Sequence, residues 1–525
     1  MVKDINTKSS DDFMRYATAV IKGRAVPNVD DNLKPVHRRI LYTMHEMKLD
    51  SKAKTVKSAN IVGQCMALHP HGDASIYDAL VRLSQNWKMR YPLIEMQGNN
   101  GSLTGDSAAS MRYTEARLTK VGDWVLKGVD PTIVPFIPNY DGTKMEPTSL
   151  PSIFPNILCN GNEGIAVGMS SKLVPHNYNE VAAAISAMLD KPSISLAEVM
   201  TYIKGPDFPL GGVIIDGYKL PEIYATGHGT ITLRAKSKID AKANTIEFSE
   251  FPYLVDVETR IIRDIKKLVN DGYDAIENVE VHIGKSSRHI TVILNKKADP
   301  HKVLNDLFEK TALQKSQGIN HLVIKNGVPT NMSLIALLRD YINHQHNIIV
   351  KTAWQKRKEQ ERIVHIQKGL ALATTKIDEV ISIVRGSNSK DEARRKLMEI
   401  LGTDLDQTEA ILNLQLGRLT KLDVNEITIK IQKAEEEVKR ATELIENNSA
   451  RIPLIKENLK QMSKMFGDER RTTIEIGSSE ESRKEEVPES MSTIISDGRL
   501  VNIKVEDFEE VWKKGNEYAR FKPIN

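Results

Sequence analysis

Arg112 and Tyr113 adjoin each other in the segment Ala108–Glu115, and two histidines, His69 and His71, precede them in the chain. A phenol has a pKa of about 10, so a tyrosine nucleophile needs neighbours that take its proton or stabilise the phenolate. Guanidinium groups bind phosphate oxygens through paired hydrogen bonds, and imidazoles donate to phosphate or shuttle protons. The set predicts a tyrosine nucleophile that attacks a phosphodiester of DNA.

A basic segment upstream strengthens this interpretation. Lys34, His37, Arg38 and Arg39 follow one another closely, and such cations bind phosphate backbone without reading base sequence. Attack by Tyr113 would leave DNA esterified to the protein, and the ester would conserve the bond energy needed for resealing. An isolated Arg-Tyr pair is usually a packing or surface feature, so the prediction depends on these linked motifs.

Composition sets the broad class of the chain. The length of 525 residues allows several domains. Charged residues make up 27% of the chain but the net charge is only +4, so DNA binding would depend on local clusters of basic residues. Cys65 and Cys159 lie in apolar surroundings and are expected to be reduced, buried thiols without a metal. The polar N-terminus and the lack of a long apolar run predict a cytoplasmic, DNA-associated protein with no membrane segment.

The apolar spacing predicts the elements that position these residues. Residues 31–90 are predicted to form three short helices: the first carries the stripe from Val36 to Met47, the second follows Ser58, and the third follows Asp73 as its N-cap. Helix, turn and capped helix fit a winged-helix DNA-binding module, with an ordinary helical bundle as the alternative. Strand-like runs at 212–215, 229–233 and 289–294 predict an α+β domain.

Seven-residue spacing predicts a long antiparallel coiled coil after residue 336. The apolar residues Ile363, Leu370, Ile377 and Val384 are each seven apart, and Ile431, Val438 and Ile445 repeat the pattern. Residues 478–486 are polar and charged, which predicts a disordered linker, and residues 493–500 are predicted to form a hairpin.

Ordered motifs along most of the chain resemble the A subunit of bacterial type IIA topoisomerases, the gyrase A and topoisomerase IV A proteins and their phage relatives. The matching strings are Gly23–Pro27, Leu33–Arg39, His69–Asp73, Gln97–Ser102, Arg112–Glu115, Asn139–Thr143 and Gly164–Met169. The expected fold is multidomain α+β. Its domains are an N-terminal helical arm at 1–30, a winged-helix breakage-reunion domain at 31–170, a tower domain at 171–335, a coiled coil with a dimer gate at 336–465, and a linker with a truncated C-terminal β segment at 466–525.

The resemblance implies roles for individual residues. Tyr113 would form a 5′-phosphotyrosyl link, Arg112 and Arg24 would contact the scissile phosphate region, and His69 and His71 would support proton movement or charge there. Ile165 matches an isoleucine that wedges between bases and bends DNA, although a core isoleucine in a glycine-rich strand end is the alternative. The remaining cations would bind phosphate backbone: Lys34, His37, Arg38 and Arg39.

The patch Ala410–Leu419 is apolar for a turn between two coiled-coil arms. A local core under the turn would explain it, whereas the resemblance implies a dimer gate near Ile411–Leu419, which is the favoured interpretation. The chain shows no acidic magnesium cluster and no nucleotide site, and the resemblance implies that both Mg²⁺ and ATP are bound by a separate B subunit. The expected assembly is therefore an A2B2 heterotetramer that is ATP-dependent and inactive without the B subunit.

Departures from the family pattern also matter. Asp30, Asp31 and Asn32 stand where relatives usually carry Arg-Asp-Gly, which removes a positive charge near DNA.

Ala74 occupies a position at which bacterial relatives often carry a serine. In those relatives the serine and the acid that matches Asp78 anchor quinolone drugs through a metal-bound water. Reduced quinolone sensitivity is therefore expected. No Gln-Arg-Arg-Gly-Gly-Lys-Gly box is present, so relaxation and decatenation are expected over negative supercoiling.

Two other functions compete with this interpretation. A non-catalytic architectural protein that bridges DNA would explain the basic helix and the heptads, but not Arg112-Tyr113 or the histidine pair. A tyrosine recombinase would require Arg and His groups around a tyrosine near the C-terminus, whereas Tyr113 is N-terminal and a coiled coil follows it.

Overall fold

The computed structural model describes residues 5–283, 288–413, 421–477, 491–496 and 499–504. The chain divides into two compact units by its internal contacts. The first unit comprises Met1–Pro209, Ala225–Gly227 and Asn320–Glu469, and the second comprises Leu210–Tyr224, His228–Ile319 and Arg470–Asn525. This division is coarser than the five expected domains, whose boundaries stay predictions.

The N-terminal part of the first unit is helical. Its elements are α1 (Ile5–Val20), a π-helical turn at Ile21–Ala25, α2 (Pro35–Glu46), α3 (Ser58–Cys65) and α4 (Asp73–Ser84). Helix α2 begins with a proline whose missing N–H is not needed in the first turn, and it buries Ile40, Leu41 and Met44. The three helices predicted between residues 31 and 90 are therefore confirmed, as are two free, buried cysteines.

One detail of the third helix was predicted wrongly. Gly72, not Asp73, occupies the N-cap, and Asp73 is the first helical residue. The Asp73 carboxylate accepts a hydrogen bond from the Ala74 N–H at 2.9 Å, so it still places negative charge at the helix N-terminus.

A small antiparallel sheet accompanies these helices. It consists of β1 (Val56–Lys57), β2 (Ile94–Gln97) and β3 (Glu115–Leu118) in the order β1-β3-β2. Three short helices with a small antiparallel sheet are compatible with the expected winged-helix module, which stays a prediction. Residues 98–114 connect β2 to β3, and Tyr113 lies just before β3 begins.

The rest of the region before residue 209 contains further short helices and strands. Its elements are α5 (Lys120–Leu126), β4 (Phe136–Pro138), β5 (Met145–Pro147), α6 (Asn156–Cys159), β6 (Asn162–Ile165), β7 (Ser170–Leu173), α7 (Tyr178–Asp190) and α8 (Leu196–Tyr202). Strands β6 and β7 form an antiparallel hairpin in which Ile165 pairs with Ser170.

The second unit has the α+β character that its strand-like runs predict. Its elements, apart from the last two residues of α9 and the last residue of β14, are β8 (Val213–Ile214), α9 (Leu220–Thr226), β9 (His228–Arg234), β10 (Lys236–Asp240), β11 (Thr245–Glu250), α10 (Arg263–Asn270), β12 (Ile276–Ile283), β13 (Arg288–Leu294), α11 (Pro300–Lys310), β14 (Gln314–Asn320) and β17 (Thr473–Ile474). Four of these strands form an antiparallel sheet in the order β10-β11-β13-β12.

Long helices dominate the C-terminal part of the first unit. After the hairpin β15 (Leu322–Lys325) and β16 (Val328–Asn331) come α12 (Leu334–Thr375), α13 (Ile377–Arg385), α14 (Lys390–Leu401), α15 (Leu405–Leu412), α16 (Lys421–Glu446) and α17 (Asn448–Phe466). Lys368 of α12 pairs with Glu435 of α16 at 2.7 Å, whereas His346, earlier in α12, faces the charge of Arg451 in α17. The arms therefore run antiparallel, as predicted.

The heptad pattern is confirmed in α16 and only partly in α12. Buried Ile427, Ala434 and Ala441 alternate with the half-buried residues Ile431, Val438 and Ile445 that the sequence singled out. Helix α12 ends at Thr375, so Ile377 and Val384 belong to α13 instead of continuing the coiled coil, and Val384 is 44% exposed.

Part of the predicted dimer gate lies in an internal core. Ile411 is buried in an apolar cluster, and Leu412 packs against it. The other buried members are Ala373, Val380, Leu397 and Leu401. For Ile411 this is the local-core alternative, since a side chain buried within its own chain cannot be a gate contact. Residues 414–420 of the patch lie outside the described residues.

The C-terminal hairpin is confirmed by the pairing of β18 (Met491–Ser496) with β19 (Arg499–Lys504). The predicted linker at 478–486 lies outside the described residues. Among the helices that are described, none combines the length and the apolar character needed to cross a bilayer.

Candidate active site and nucleic-acid interface

Tyr113 is displayed at the surface of the first unit. Its side chain is 63% exposed, and the Arg112 guanidinium lies 4.8 Å from the centroid of its ring. Within the part of the chain that the structure describes, the Tyr113 hydroxyl makes no hydrogen bond. The phenol is therefore accessible to an external phosphodiester, and a cation lies over its ring.

A cluster of cations and imidazoles brings together four residues that the sequence singled out. The His69 and His71 ring centroids are 4.7 Å apart, and Arg39 Nη1 donates to His69 Nδ1 at 2.9 Å. Arg24 is exposed in the π-helical turn and contributes positive charge at His69. Four groups that can donate to phosphate oxygens thus converge on one region.

Arg39 fixes the tautomer of His69. A guanidinium cannot accept a hydrogen bond, so His69 Nδ1 must be the acceptor and the ring proton must lie on Nε2. Burial, followed by the charges of Arg39, His71 and Arg24, lowers the pKa of His69 to about 4. His69 is therefore a neutral imidazole at pH 7 with one N–H available for donation.

This pKa predicts a specific loss of stability in acid. The His69 pKa falls from 6.5 to about 4 on folding, so the unfolded chain binds a proton in that window that the folded chain does not. Stability is retained above the unfolded pKa and is lost as the pH falls through that window. We expect the melting temperature of the wild type to fall more steeply than that of His69→Gln from neutral pH to about 4. Parallel curves for the two proteins would contradict this assignment.

Sequence reasoning missed Glu146, which holds Arg39 in place. Glu146 is buried on β5, and its two carboxylate oxygens accept from Arg39 Nε at 2.6 Å and Nη2 at 2.7 Å. Together with the bond to His69, these contacts use three of the five guanidinium N–H donors. Arg39 is therefore a residue that orients His69 as well as a candidate phosphate contact. No sequence signal marks Glu146, because 107 positions separate the two residues.

Arg38 does not fit its predicted role in DNA binding. Its guanidinium is buried and donates to both oxygens of fully buried Asp31, from Nε at 2.7 Å and from Nη2 at 3.0 Å. Asp31 also accepts from the backbone N–H of Leu150 at 2.9 Å. A neutralised, buried cation cannot reach phosphate, so Arg38 ties the start of α2 to the segment around Leu150.

Lys34 and His37 line a pocket at the start of α2, of about 470 Å³ including its open mouth. The Lys34 ammonium donates to the Glu163 carbonyl at 2.5 Å, and burial, followed by the charge of Arg82, lowers the pKa of Lys34 to about 8. Burial, with Lys34, Arg82 and Arg38 nearby, also lowers the pKa of His37 well below its ordinary value. At neutral pH Lys34 is the charged group of this pair, whereas His37 is neutral.

The residues that depart from the family pattern make internal contacts. Asp30 Oδ1 lies 3.6 Å from His344 Nδ1 of α12, so the acid faces a histidine of the same chain. Asn32 has a φ of +57°, a left-handed conformation that glycine favours and asparagine tolerates. Its amide donates to the Asn160 carbonyl at 2.9 Å. Asparagine can therefore replace glycine in this turn.

Ile165 stands at the end of β6 and is 86% exposed. The preceding Gly164 packs so closely against the π-helical turn that an added Cβ would lie 1.9 Å from the Ala25 carbonyl oxygen. A glycine is therefore required at this position, and its contact fixes the hairpin that presents Ile165. The alternative of a core isoleucine is wrong, and an exposed apolar side chain remains available to a partner.

Comparison with known proteins identifies the family. The family model for the A subunits of DNA gyrase and topoisomerase IV matches residues 24–460. The chain belongs to this family. It is 40% identical over 478 residues to the gyrase A protein of Clostridium acetobutylicum, an alignment that covers 90% of this chain and 57% of that protein. It is 42% identical over 482 residues to that of Mycolicibacterium smegmatis, with the same coverage. It is 37% identical over 518 residues to that of Kosmotoga olearia, covering 98% and 64%.

The family match includes every candidate site residue from Arg24 to Ile165. The chain spans about six-tenths of the length of these gyrase A relatives. Gyrase A and topoisomerase IV A are not separated by the match, because the family model covers both.

The two residues that the resemblance predicts to be drug-site positions lie on one face of α4. Ala74 and Asp78 are four residues apart and both are exposed, so their side chains are neighbours on the helix surface. Ala74 offers a methyl group where a serine would offer a hydroxyl.

Proposed function

We propose that this chain is the DNA breakage-reunion subunit of an ATP-dependent type IIA topoisomerase, which makes a transient double-strand break and passes a second duplex through it. The observation that supports this most directly is the exposed Tyr113 phenol under the Arg112 guanidinium. The cluster of Arg24, Arg39, His69 and His71 lies in the same compact unit of the chain.

The proposed reaction is a reversible transesterification. The Tyr113 hydroxyl oxygen attacks phosphorus, a bond forms between them, and the bond from phosphorus to the 3′ oxygen of the neighbouring nucleotide breaks. The phenol loses a proton and the leaving 3′ oxygen gains one, so the number of protons balances. The product is a 5′-phosphotyrosyl diester, and reversal of the same steps reseals the strand.

The residues around the phosphate would act through hydrogen bonds and charge. Exposed Arg24 and Arg112 would bind the non-bridging phosphate oxygens, on which charge increases during attack. Neutral His69 would donate from Nε2, and exposed His71 would donate or exchange a proton. Lys34 would contact the phosphate backbone, and Ile165 would insert at a base step and bend the duplex.

The cofactors and partners follow from the same proposal. Mg²⁺ and ATP would be bound by a B subunit, and two B subunits together with two copies of this chain would form an A2B2 complex. Among the described residues, no group of three His, Cys, Asp or Glu side chains is arranged to hold a metal ion. Mg²⁺ would stabilise charge on the reacting phosphate. A preference for relaxation and decatenation over negative supercoiling stays a prediction.

A trapped-cleavage experiment tests the proposal. The chain is mixed with a B subunit that binds it, magnesium and end-labelled DNA, and the reaction is stopped with detergent. We expect protein linked to 5′ ends, and we expect peptide mapping to place the nucleotide on Tyr113. An adduct on another residue would overturn the assignment of the nucleophile. Binding of DNA and partner without an adduct would favour the architectural DNA-bridging function.

Drug sensitivity provides a further prediction. Ala74→Ser should increase quinolone potency in this assay by about tenfold, the effect of one added hydrogen bond to a metal-bound water. Ala79→Ser, the same substitution elsewhere on α4, should leave potency unchanged. Equal drug potency against the wild type and Ala74→Ser would show that the family's drug contact does not apply to this chain.

A further inference from the structure

The segment that carries Tyr113 has no regular secondary structure of its own. Residues 105–110 form neither helix nor strand, residues 111–113 form a turn, and β3 begins only at Glu115. Within the segment, the Tyr113 N–H donates to the Ser110 carbonyl at 2.9 Å. The position of the Tyr113 phenol must therefore be set by contacts from neighbouring elements.

Helix α3 supplies one set of contacts through its backbone. The Ser58 N–H donates to the Thr114 carbonyl at 3.0 Å, and the Ala59 N–H donates to the Met111 carbonyl at 3.1 Å. These are two of the first N–H groups of α3, which have no partner inside the helix. They hold the segment on both sides of Tyr113.

Helix α4 supplies a second contact through one side chain, Tyr77. The Tyr77 hydroxyl donates to the Ala109 carbonyl at 2.5 Å and lies 2.9 Å from Thr114 Oγ1. Thr114 is fully buried, and its Oγ1 also lies 2.9 Å from Ser58 Oγ. The Tyr77 phenol thus contacts Ala109, four positions before Tyr113, and Thr114, directly after it. Through Thr114 these contacts extend to Ser58 of α3.

We propose that Tyr77 is a positioning residue for Tyr113, which rests on the proposed function of Tyr113 as nucleophile. Tyr77 closes the Tyr113-bearing segment against α4, so the nucleophilic oxygen is held in one place before DNA arrives. Removing the Tyr77 hydroxyl leaves the Ala109 carbonyl and the Thr114 hydroxyl without this partner. A small displacement of a nucleophile lowers the rate of reaction by a factor of about ten to a hundred.

The chain offers a matched control for this change. Tyr42 on α2 is also a tyrosine with a hydrogen-bonded hydroxyl, but its partner is Glu46 of its own helix, at 3.1 Å. The substitutions Tyr77→Phe and Tyr42→Phe each remove one hydroxyl from a helix of the same unit. Only the first touches the segment that carries Tyr113.

The test measures the single-turnover rate of adduct formation, DNA affinity and melting temperature for each protein with its B subunit, magnesium and labelled DNA. Tyr77→Phe should lower the rate about tenfold or more with DNA affinity unchanged, and Tyr42→Phe should change neither. Thr114→Val, which keeps the side-chain shape, should lower the rate as well. The double variant should lose less than the product of the two single effects, because both hydroxyls belong to one network.

Four results would overturn the inference or its basis. An unchanged rate in Tyr77→Phe, while the wild type forms the adduct, would overturn the role of Tyr77 and leave the proposed function intact. If Tyr77→Phe lowers DNA affinity and the rate equally, Tyr77 has a structural role only. If Tyr77→Phe has a lowered melting temperature, Thr114→Val decides instead, and an unchanged rate in Thr114→Val would overturn the role of Tyr77. A wild type that binds DNA and partner without forming an adduct would overturn both proposals.

Discussion

Tyr113→Phe should abolish the protein–DNA adduct, with a fall of more than about a thousandfold in the rate of its formation. The substitution removes only the attacking oxygen. The aromatic ring that lies 4.8 Å from the Arg112 guanidinium remains, so the local structure should be retained. DNA affinity should stay within about twofold of the wild type, because the cationic residues proposed to contact phosphate remain.

Tyr140→Phe is the matched control for this prediction. Tyr140 is also strongly exposed in the first unit, at 58%, but it belongs to a separate turn before β5. Its loss should leave adduct formation unchanged. Survival of the adduct in Tyr113→Phe would mean that another residue is the nucleophile, and an equal loss in both variants would indicate a general effect on DNA binding.

Short-range patterns in the sequence were sufficient to predict the helices around the site. The buried positions of α2, α3 and α4 recur at helical spacing, and each helix lies where that spacing placed it. The same reasoning failed at Thr375, where α12 ends although the seven-residue repeat continues into α13. No glycine or proline lies at residues 374–378 to signal a break, so the spacing alone could not reveal it.

Adjacent arginines show why site chemistry was harder to predict than helices. Arg38 and Arg39 look like one basic cluster in the sequence, but the first is paired with buried Asp31 and the second with buried Glu146. Asp31 is seven residues before Arg38, so a charge pair could have been considered from the sequence. Glu146 comes near Arg39 only when β5 packs beside α2, which no local pattern specifies.

The exposure of Ile165 likewise depends on contacts that are distant in sequence. The glycine-rich strand end was compatible with a core residue or a projecting one. Close packing of Gly164 against Ala25, far away in the chain, fixes the hairpin that presents the side chain to solvent. The sequence could supply the candidate, but only the fold distinguishes the two alternatives.

The largest effect on stability should come from Arg90, which the sequence did not mark. Its side chain is fully buried and donates to Asp207 Oδ2 at 2.8 Å and to Asp468 Oδ2 at 2.8 Å. Arg90→Met would remove two charge-assisted hydrogen bonds to the fully buried Asp207 carboxylate, from Arg90 Nε at 3.0 Å and from Nη2 at 2.8 Å. Breaking a buried ion pair in this way costs about 3–5 kcal/mol of the free energy of unfolding.

Arg117→Met provides the control, because Arg117 also makes a two-bond pair with a carboxylate, Glu95, but both side chains are partly exposed. Its loss should cost less than about 1 kcal/mol, since water solvates the remaining charge. Thermal or denaturant unfolding of the two variants checks the difference, and equal destabilisation would contradict it.

Asp468 lies just after α17, and Arg90 lies between α4 and β2. Their ion pair therefore ties the segment that returns from the coiled coil to the residues between α4 and β2. Loss of this contact should therefore make residues near Asp468 accessible to proteases before the helices around Tyr113 unfold.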